Sequence, residues 1–200
     1  MNYADLSKLL AGADSPVVLL EGTRELPAVQ APYLTALAAH LARAFPQARF
    51  RTGNAKGSDE AFAAGVASVD ATRLEFVLPY ASHRSRQRPA ESPATAIDDI
   101  STAQIQEVVD ATLAASPQYE RLAVNYRQRE THPRQRATAQ LILRDTLKVT
   151  GSDEMSPPAV GIFYVHAADP DRGGTGHTMR VCRTRGVPVI NQFEWHEWSF

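Results

Sequence analysis

The first eighty residues alternate short apolar runs with apolar stripes of helical spacing, and that alternation constrains the fold more than any other feature. Val17 to Glu21 is a compact apolar run closing at Gly22-Thr23-Arg24, which predicts a buried strand with a turn at its carboxyl end. Pro27 suits a first helical turn, and Leu34, Leu37, Ala38, Leu41, Ala42 and Phe45 then recur as one helix face. Ala48 to Thr52 predicts a second strand, broken at Gly53-Asn54-Ala55-Lys56-Gly57. Ser58 suits an N-cap for a helix through Val69, with Asp59 and Glu60 in its first turn, and Leu74 to Leu78 predicts a third strand stopped by Pro79. Strand, helix, strand, helix, strand argues for a parallel sheet with helices on both faces.

The pattern returns near the C-terminus. Ala159 to Val165 predicts a strand, and Gly173-Gly174-Thr175-Gly176-His177-Thr178 opens a helix running to about Arg185. Gly186 to Asn191 holds the next strand. The intervening stretch departs from the rhythm. Ala81 to Ala96 is rich in Pro, Ser and Arg and predicts an exposed, mobile loop. Ser101 and Gln104 form a capping-box pattern, with Ile100 and Ile105 placed as a staple, for a helix to about Ser116. Pro133 opens a further helix with Ala139, Ile142, Leu143 and Leu147 as its buried stripe, ended by Gly151. The expected fold is an α/β, Rossmann-like three-layer sandwich. Its mostly parallel sheet has about five or more strands with helices on both faces. One domain over residues 1–200 is expected, with a loop and helical insertion at about 81–133 between strands three and four.

A formal net charge of −1 over 200 residues gives no general attraction to nucleic acid or anionic membrane. Cys182 is the single cysteine, which excludes an intrachain disulfide and a four-cysteine zinc site; inside the last helix it reads as a small buried residue. No run approaches spanning length and the N-terminus lacks a signal pattern, so a cytoplasmic protein without a membrane partner is expected. Glu194, His196 and Glu197 lie among Trp195, Trp198 and Phe200, and no matching ligand cluster occurs elsewhere. That predicts an aromatic tail packed on the domain or on another subunit of a homo-oligomer, and no metal.

Three turns fall at equivalent places, each after a strand and before a helix: Gly22-Thr23-Arg24, Gly53 to Asp59, and Gly173 to Thr178. In an open parallel sheet all strand carboxyl ends share one edge, where ligands bind. The Gly-rich turn at the start of a helix also presents backbone N–H groups to an anion. Together these turns predict a nucleotide- or phosphosugar-type site.

The set G-T-R after strand one, G-x-A-x-G-x-D after strand two and G-G-T-G before the last helix resembles the SLOG superfamily over Val17 to Tyr80 and Ala159 to Gln192. These Rossmann-like domains include the DNA-processing A proteins, the Lonely Guy phosphoribohydrolases and ligand-sensing domains of bacterial antiphage systems. The resemblance implies that Gly22, Thr23 and Arg24 line the site, Arg24 contacting phosphate. Gly53, Ala55 and Gly57 would admit the ligand close to backbone, with Asn54 and Ser58 as side-chain partners. Gly173, Gly174, Thr175, Gly176, His177 and Thr178 would hold phosphate or ribose. Asp59 would take a ribose hydroxyl or stabilise a helix N-terminus. No cofactor is required; the ligand expected is a nucleotide or nucleotide-sugar, bound as by a sensor.

The hydrolase pattern P-G-G-x-G-T-x-x-E is not kept: Arg172 replaces Pro, His177 replaces Thr, and Arg180 replaces the catalytic Glu. A glycosidase would therefore need another carboxylate among Asp59, Glu60, Asp145 and Asp171, with His177 as an acid or base or simply a hydrogen-bonding helix-start residue. A single-stranded DNA binder is the second rival. The basic groups His83, Arg84, Arg86 and Arg88, and Arg127, Arg129, Arg134 and Arg136, would form an anion-binding cover, a nucleic-acid patch or solvated loop charge. Few aromatics accompany them to stack on bases, so nucleic acid is not favoured.

Overall fold

The computed structural model describes residues 1–128 and 132–198. Its sheet has six strands, all parallel, in the order β4-β3-β2-β1-β5-β6. They are β1 (Val17–Gly22), β2 (Arg49–Thr52), β3 (Leu74–Leu78), β4 (Ala94–Ala96), β5 (Val160–Tyr164) and β6 (Val189–Asn191). The chain builds outward from β1 through β4, then crosses back to place β5 on the other side of β1. The order therefore reverses between β1 and β5, the place where an open parallel sheet leaves a crevice.

Alternation along the strands assigns the two helical layers. Val18, Leu20, Phe50, Leu74, Phe76, Val160 and Ile162 pack with α1 (Tyr3–Ala11), α2 (Ala31–Ala44) and α3 (Ser58–Asp70). Residues of opposite parity, Leu19, Val77 and Phe163, pack with the second layer: α4 (Thr102–Ala115), α5 (Glu120–Gln128), α6 (Pro133–Thr150) and α7 (Gly173–Thr184). A last short helix, α8 (Gln192–Trp195), sets Trp195 into the first core, where its indole N–H donates to the Phe163 carbonyl at 3.0 Å. Trp198 donates to the Met1 carbonyl, so the tail packs on its own chain; Phe200 lies outside the described residues.

Several local expectations change. The stretch 81–96 is not all loop: Ala94–Ala96 pairs with β3 as the edge strand, and Ala96 is buried. Ser58 does not cap α3; Gly57, at φ 80°, is the cap, and Ser58 enters the helix with its hydroxyl turned to the Thr23 carbonyl. Pro27 precedes a single turn, Ala28–Gln30, before α2 begins at Ala31. Ser101 and Gln104 do form the reciprocal capping box, and Pro133 and Gly151 bound α6. Among the described residues no helix is long and apolar enough to cross a membrane.

Candidate functional site

The three turns meet at the carboxyl edge of the sheet, around a cavity of about 580 Å3 over the crevice between β1 and β5. Gly22, Thr23 and Arg24 form one wall, Ala55, Lys56 and Asp59 a second, and Gly173, Gly174 and Thr175 a third. A fourth wall comes from α6, through Thr138, Leu141, Ile142, Arg144 and Asp145, with Tyr119 beside it. The volume lies in the range of small-molecule sites.

The first two turns are bound to each other. Asp59, 1 % exposed, accepts from Gly22 N (3.3 Å) through one oxygen and from Gly53 N (3.1 Å) and Ala55 N (3.2 Å) through the other. Ser58 reaches the Thr23 carbonyl with both its backbone N–H (3.2 Å) and its hydroxyl (2.9 Å). At Gly57 a Cβ would lie 2.8 Å from the Thr23 and Arg24 carbonyls, so glycine is needed there for close approach of the turns as well as for positive φ. Asn54, at φ 56°, donates to the His83 and Arg84 carbonyls and anchors the segment after β3. Asp59 and Ser58 thus spend their side-chain oxygens on the protein, as Asn54 does its amide nitrogen. Arg24 and Lys56 are exposed on the rim and have no hydrogen bond or ion pair among the described residues.

The third turn carries an internal anion. A Cβ on Gly174 would lie 2.6 Å from Asp145 Oδ2, so this glycine admits a carboxylate from α6 to the start of α7, where partial positive charge gathers. Gly173, at φ 64°, has open space around it. Gly176 backs directly onto the Asp171 carbonyl. Thr175 lines the cavity, whereas Thr178 is fully buried beneath it, 3.0 Å from Glu21 Oε1 and 3.1 Å from the Gly174 carbonyl.

His177 is wholly buried and does not line the cavity. Arg180 Nε donates to Ser116 Oγ (2.9 Å), which lies 2.8 Å from His177 Nδ1; His177 Nε2 lies 2.9 Å from Thr146 Oγ1, which lies 2.6 Å from Thr112 Oγ1. Thr112 donates to the Val108 carbonyl. A neutral imidazole with its hydrogen on Nε2 lets every hydroxyl in this chain donate once, from Arg180 through to Val108. Burial agrees, pushing the His177 pKa down to about 4 against the pull of Asp145. Arg180 is a clamp: it also donates to the Asp171 carbonyl at 2.9 Å. Because the folded pKa lies below the ordinary 6.5, the stabilisation is complete above pH 6.5 and is lost as pH falls toward 4. The advantage of the parent over His177→Gln in urea unfolding should shrink by about 3 kcal/mol across that window. A constant difference would remove the neutral-imidazole account.

Behind the cavity wall lies a buried charge cluster that hydrophobic patterning does not reveal. Lys148, with no exposure, contacts Glu21 Oε2 at 2.6 Å and Asp145 Oδ1 at 2.9 Å. Arg144 Nε is 2.9 Å from Asp145 Oδ1, and its Nη1 donates to the Gly53 carbonyl, tying α6 to the second turn. Burial would raise Asp145, but Arg144 and Lys148 hold it below the usual carboxylate range. Glu21 goes the other way: burial pushes it up to about 8, opposed by Lys148 and reinforced by Asp145 and Asp59. Asp171 and Glu60 stand apart from the cavity lining, paired with Arg183 and Arg84 respectively. Of the basic groups, His83 and Arg84 reach the cavity, while Arg136 pairs with Asp98 over the Tyr126 ring. Arg129 and the Arg127 side chain lie outside the described residues. No group of residues suited to a metal ion occurs among those described, and Cys182 is buried.

No protein-family model matches the chain, and no curated protein matches it. Among solved structures, DNA processing protein A from Helicobacter pylori, studied for its unique single-stranded DNA binding mode, is similar at 13 % identity. The match covers 92 % of this chain and 67 % of that one at a TM-score of 0.45.

Proposed function

We propose that the chain is a SLOG-type domain that binds a nucleotide or nucleotide-sugar in the cavity at the carboxyl edge of its sheet, as a sensor does. The observation that carries this reading is the convergence of three strand-end turns on one cavity with two uncommitted cations, Arg24 and Lys56, on its rim. Phosphate is assigned to that rim rather than to the centre of the third turn, where Asp145 already supplies negative charge beside Gly174. Leu141, Ile142 and Tyr119 offer the apolar surface that a base needs. Denaturing the purified protein and identifying the released small molecule by mass spectrometry tests the class directly. Calorimetry with nucleoside monophosphates, nucleotide-sugars and dinucleotides gives affinities. Arg24→Ala should weaken binding by about 1.5–3 kcal/mol, the range for a hydrogen bond to a charged group. An unchanged affinity would place Arg24 in solvent.

A second reading, a nucleotide-directed glycosidase, is favoured by one observation: Glu21 and Asp145 both line the cavity, one held up and one held down in pKa. Chromatography of nucleotides incubated with the protein separates the readings, since a sensor leaves each intact.

A further inference from the structure

Five ionisable side chains meet at the inner wall of the cavity, and their charges do not cancel. Arg144 and Lys148 bring two cations; Glu21, Asp59 and Asp145 bring three carboxyls, and none of the five is more than 6 % exposed. Groups packed around them do not supply the missing charge. Arg51 of β2, which donates to the Lys148 carbonyl, is held by Glu75 of β3. The second cation on Glu75, Arg49, is 43 % exposed and screened by water. On α7, His177 is neutral and burial pushes the Cys182 thiol up to about 12. An excess charge buried without a partner is costly, so one carboxyl takes a proton.

The polar contacts of each carboxyl say which one. Asp59 uses both oxygens to accept from three backbone N–H groups, and Asp145 Oδ1 lies 2.9 Å from each of the two cations. Glu21 touches one cation, and its other oxygen meets Thr178. The Thr178 hydroxyl has a single hydrogen but stands at bonding distance from two acceptors, Glu21 Oε1 and the Gly174 carbonyl. A proton on Glu21 Oε1 resolves this: Glu21 donates to Thr178, Thr178 donates to Gly174, and Glu21 Oε2 accepts from Lys148.

We propose that Glu21 is a proton-binding switch for this cavity, admitting an anion while it is protonated and repelling it once it ionises. The switch is a regulation of the site proposed above and rests on that reading. Glu21, next to last in β1, stands in the cavity wall with Arg24 and Lys56 on the same lining, where the other cations are already paired, Arg84 with Glu60, Arg172 with Glu25 and Arg144 with Asp145. Burial holds His83 below its ordinary value, His166 Nδ1 accepts from the Asp169 N–H, and Tyr119 lies edge-on to His177. Ionisation adds a full negative charge there and leaves the rim cations unchanged.

Two measurements test it. Infrared spectroscopy of the ligand-free protein should show the carbonyl stretch of a protonated carboxyl at pH 7 that fades in mildly alkaline solution and is missing from Glu21→Gln. Inorganic pyrophosphate, titrated by calorimetry, should lose affinity about tenfold per pH unit above the same midpoint, with proton uptake on binding; Glu21→Gln should bind with little pH dependence there. Lack of the band at pH 7 overturns the proposal whatever binds. A band that titrates while pyrophosphate affinity stays constant overturns the coupling. A band that behaves as expected in a cavity that takes no pyrophosphate at pH 6.5 overturns the anion-site reading, and with it the switch, but upholds the proton on Glu21.

Discussion

Lys148→Ala is expected to lower stability by about 3–5 kcal/mol, the usual cost of removing one partner from a buried ion pair. The ammonium has no exposure and stands between Glu21 and Asp145, so its loss strands two buried carboxyls as well as leaving a cavity where three methylenes packed. Glu21 escapes part of the penalty by staying protonated; Asp145 keeps only Arg144. For a chain of this size the loss corresponds to a fall of roughly 10 °C in Tm. Lys148→Met restores the packing, and combining it with Glu21→Gln removes a carboxyl as well. The double variant should therefore recover more than the two single changes predict when summed, a positive coupling read from a double-mutant cycle in urea. A Lys148→Ala protein within about 1 kcal/mol of the parent would show that water reaches this cluster and that the charges are not isolated.

What the sequence disclosed, and what it concealed, follows from which forces leave a periodic trace. Short apolar runs bounded by turn residues located β1, β2, β3, β5 and β6, because a strand covered by helices on both faces is apolar along its length. The edge strand β4 left little trace: Ala94–Ala96 is three residues long with one buried side chain, too short for a period to appear. The three turns were legible because each pairs glycine with a strand end, and the cavity they enclose follows from parallel topology. The fourth wall was not. Arg144, Asp145 and Lys148 sit in α6 among leucines, and nothing local distinguishes a solvated charge from one buried against Glu21, 127 positions away from Lys148. The available signal was Glu21 itself, a carboxylate closing an otherwise apolar strand, matched by Arg51 and Glu75 at neighbouring strand positions on the same face. Side-chain roles in the turns were the least legible part. A glycine that admits a ligand and one that admits a neighbouring backbone look alike in sequence, and at Gly57 the neighbour is the backbone of Thr23 and Arg24.

Asp59 gives the sharpest separation of a residue that contacts a ligand from one that builds the site. Its two oxygens accept from Gly22, Gly53 and Ala55, joining the turn after β1 to the turn after β2 at the base of α3. Asp59→Ala leaves three N–H groups without an acceptor, each costing about 1–3 kcal/mol if it stays dry. The cavity lies alongside, so water enters and satisfies some of them, and a net loss of about 2–4 kcal/mol is expected in the ligand-free protein. Asp59→Asn should fall between the two, because an amide offers one oxygen where the carboxylate offers two and turns its NH2 toward a donor. Ligand affinity should drop with both variants, since Thr23 and Arg24 lose the anchor that sets their height over the cavity. Urea unfolding without ligand decides the matter: a carboxylate kept for a ribose hydroxyl would leave the empty protein as stable as the parent and weaken binding alone.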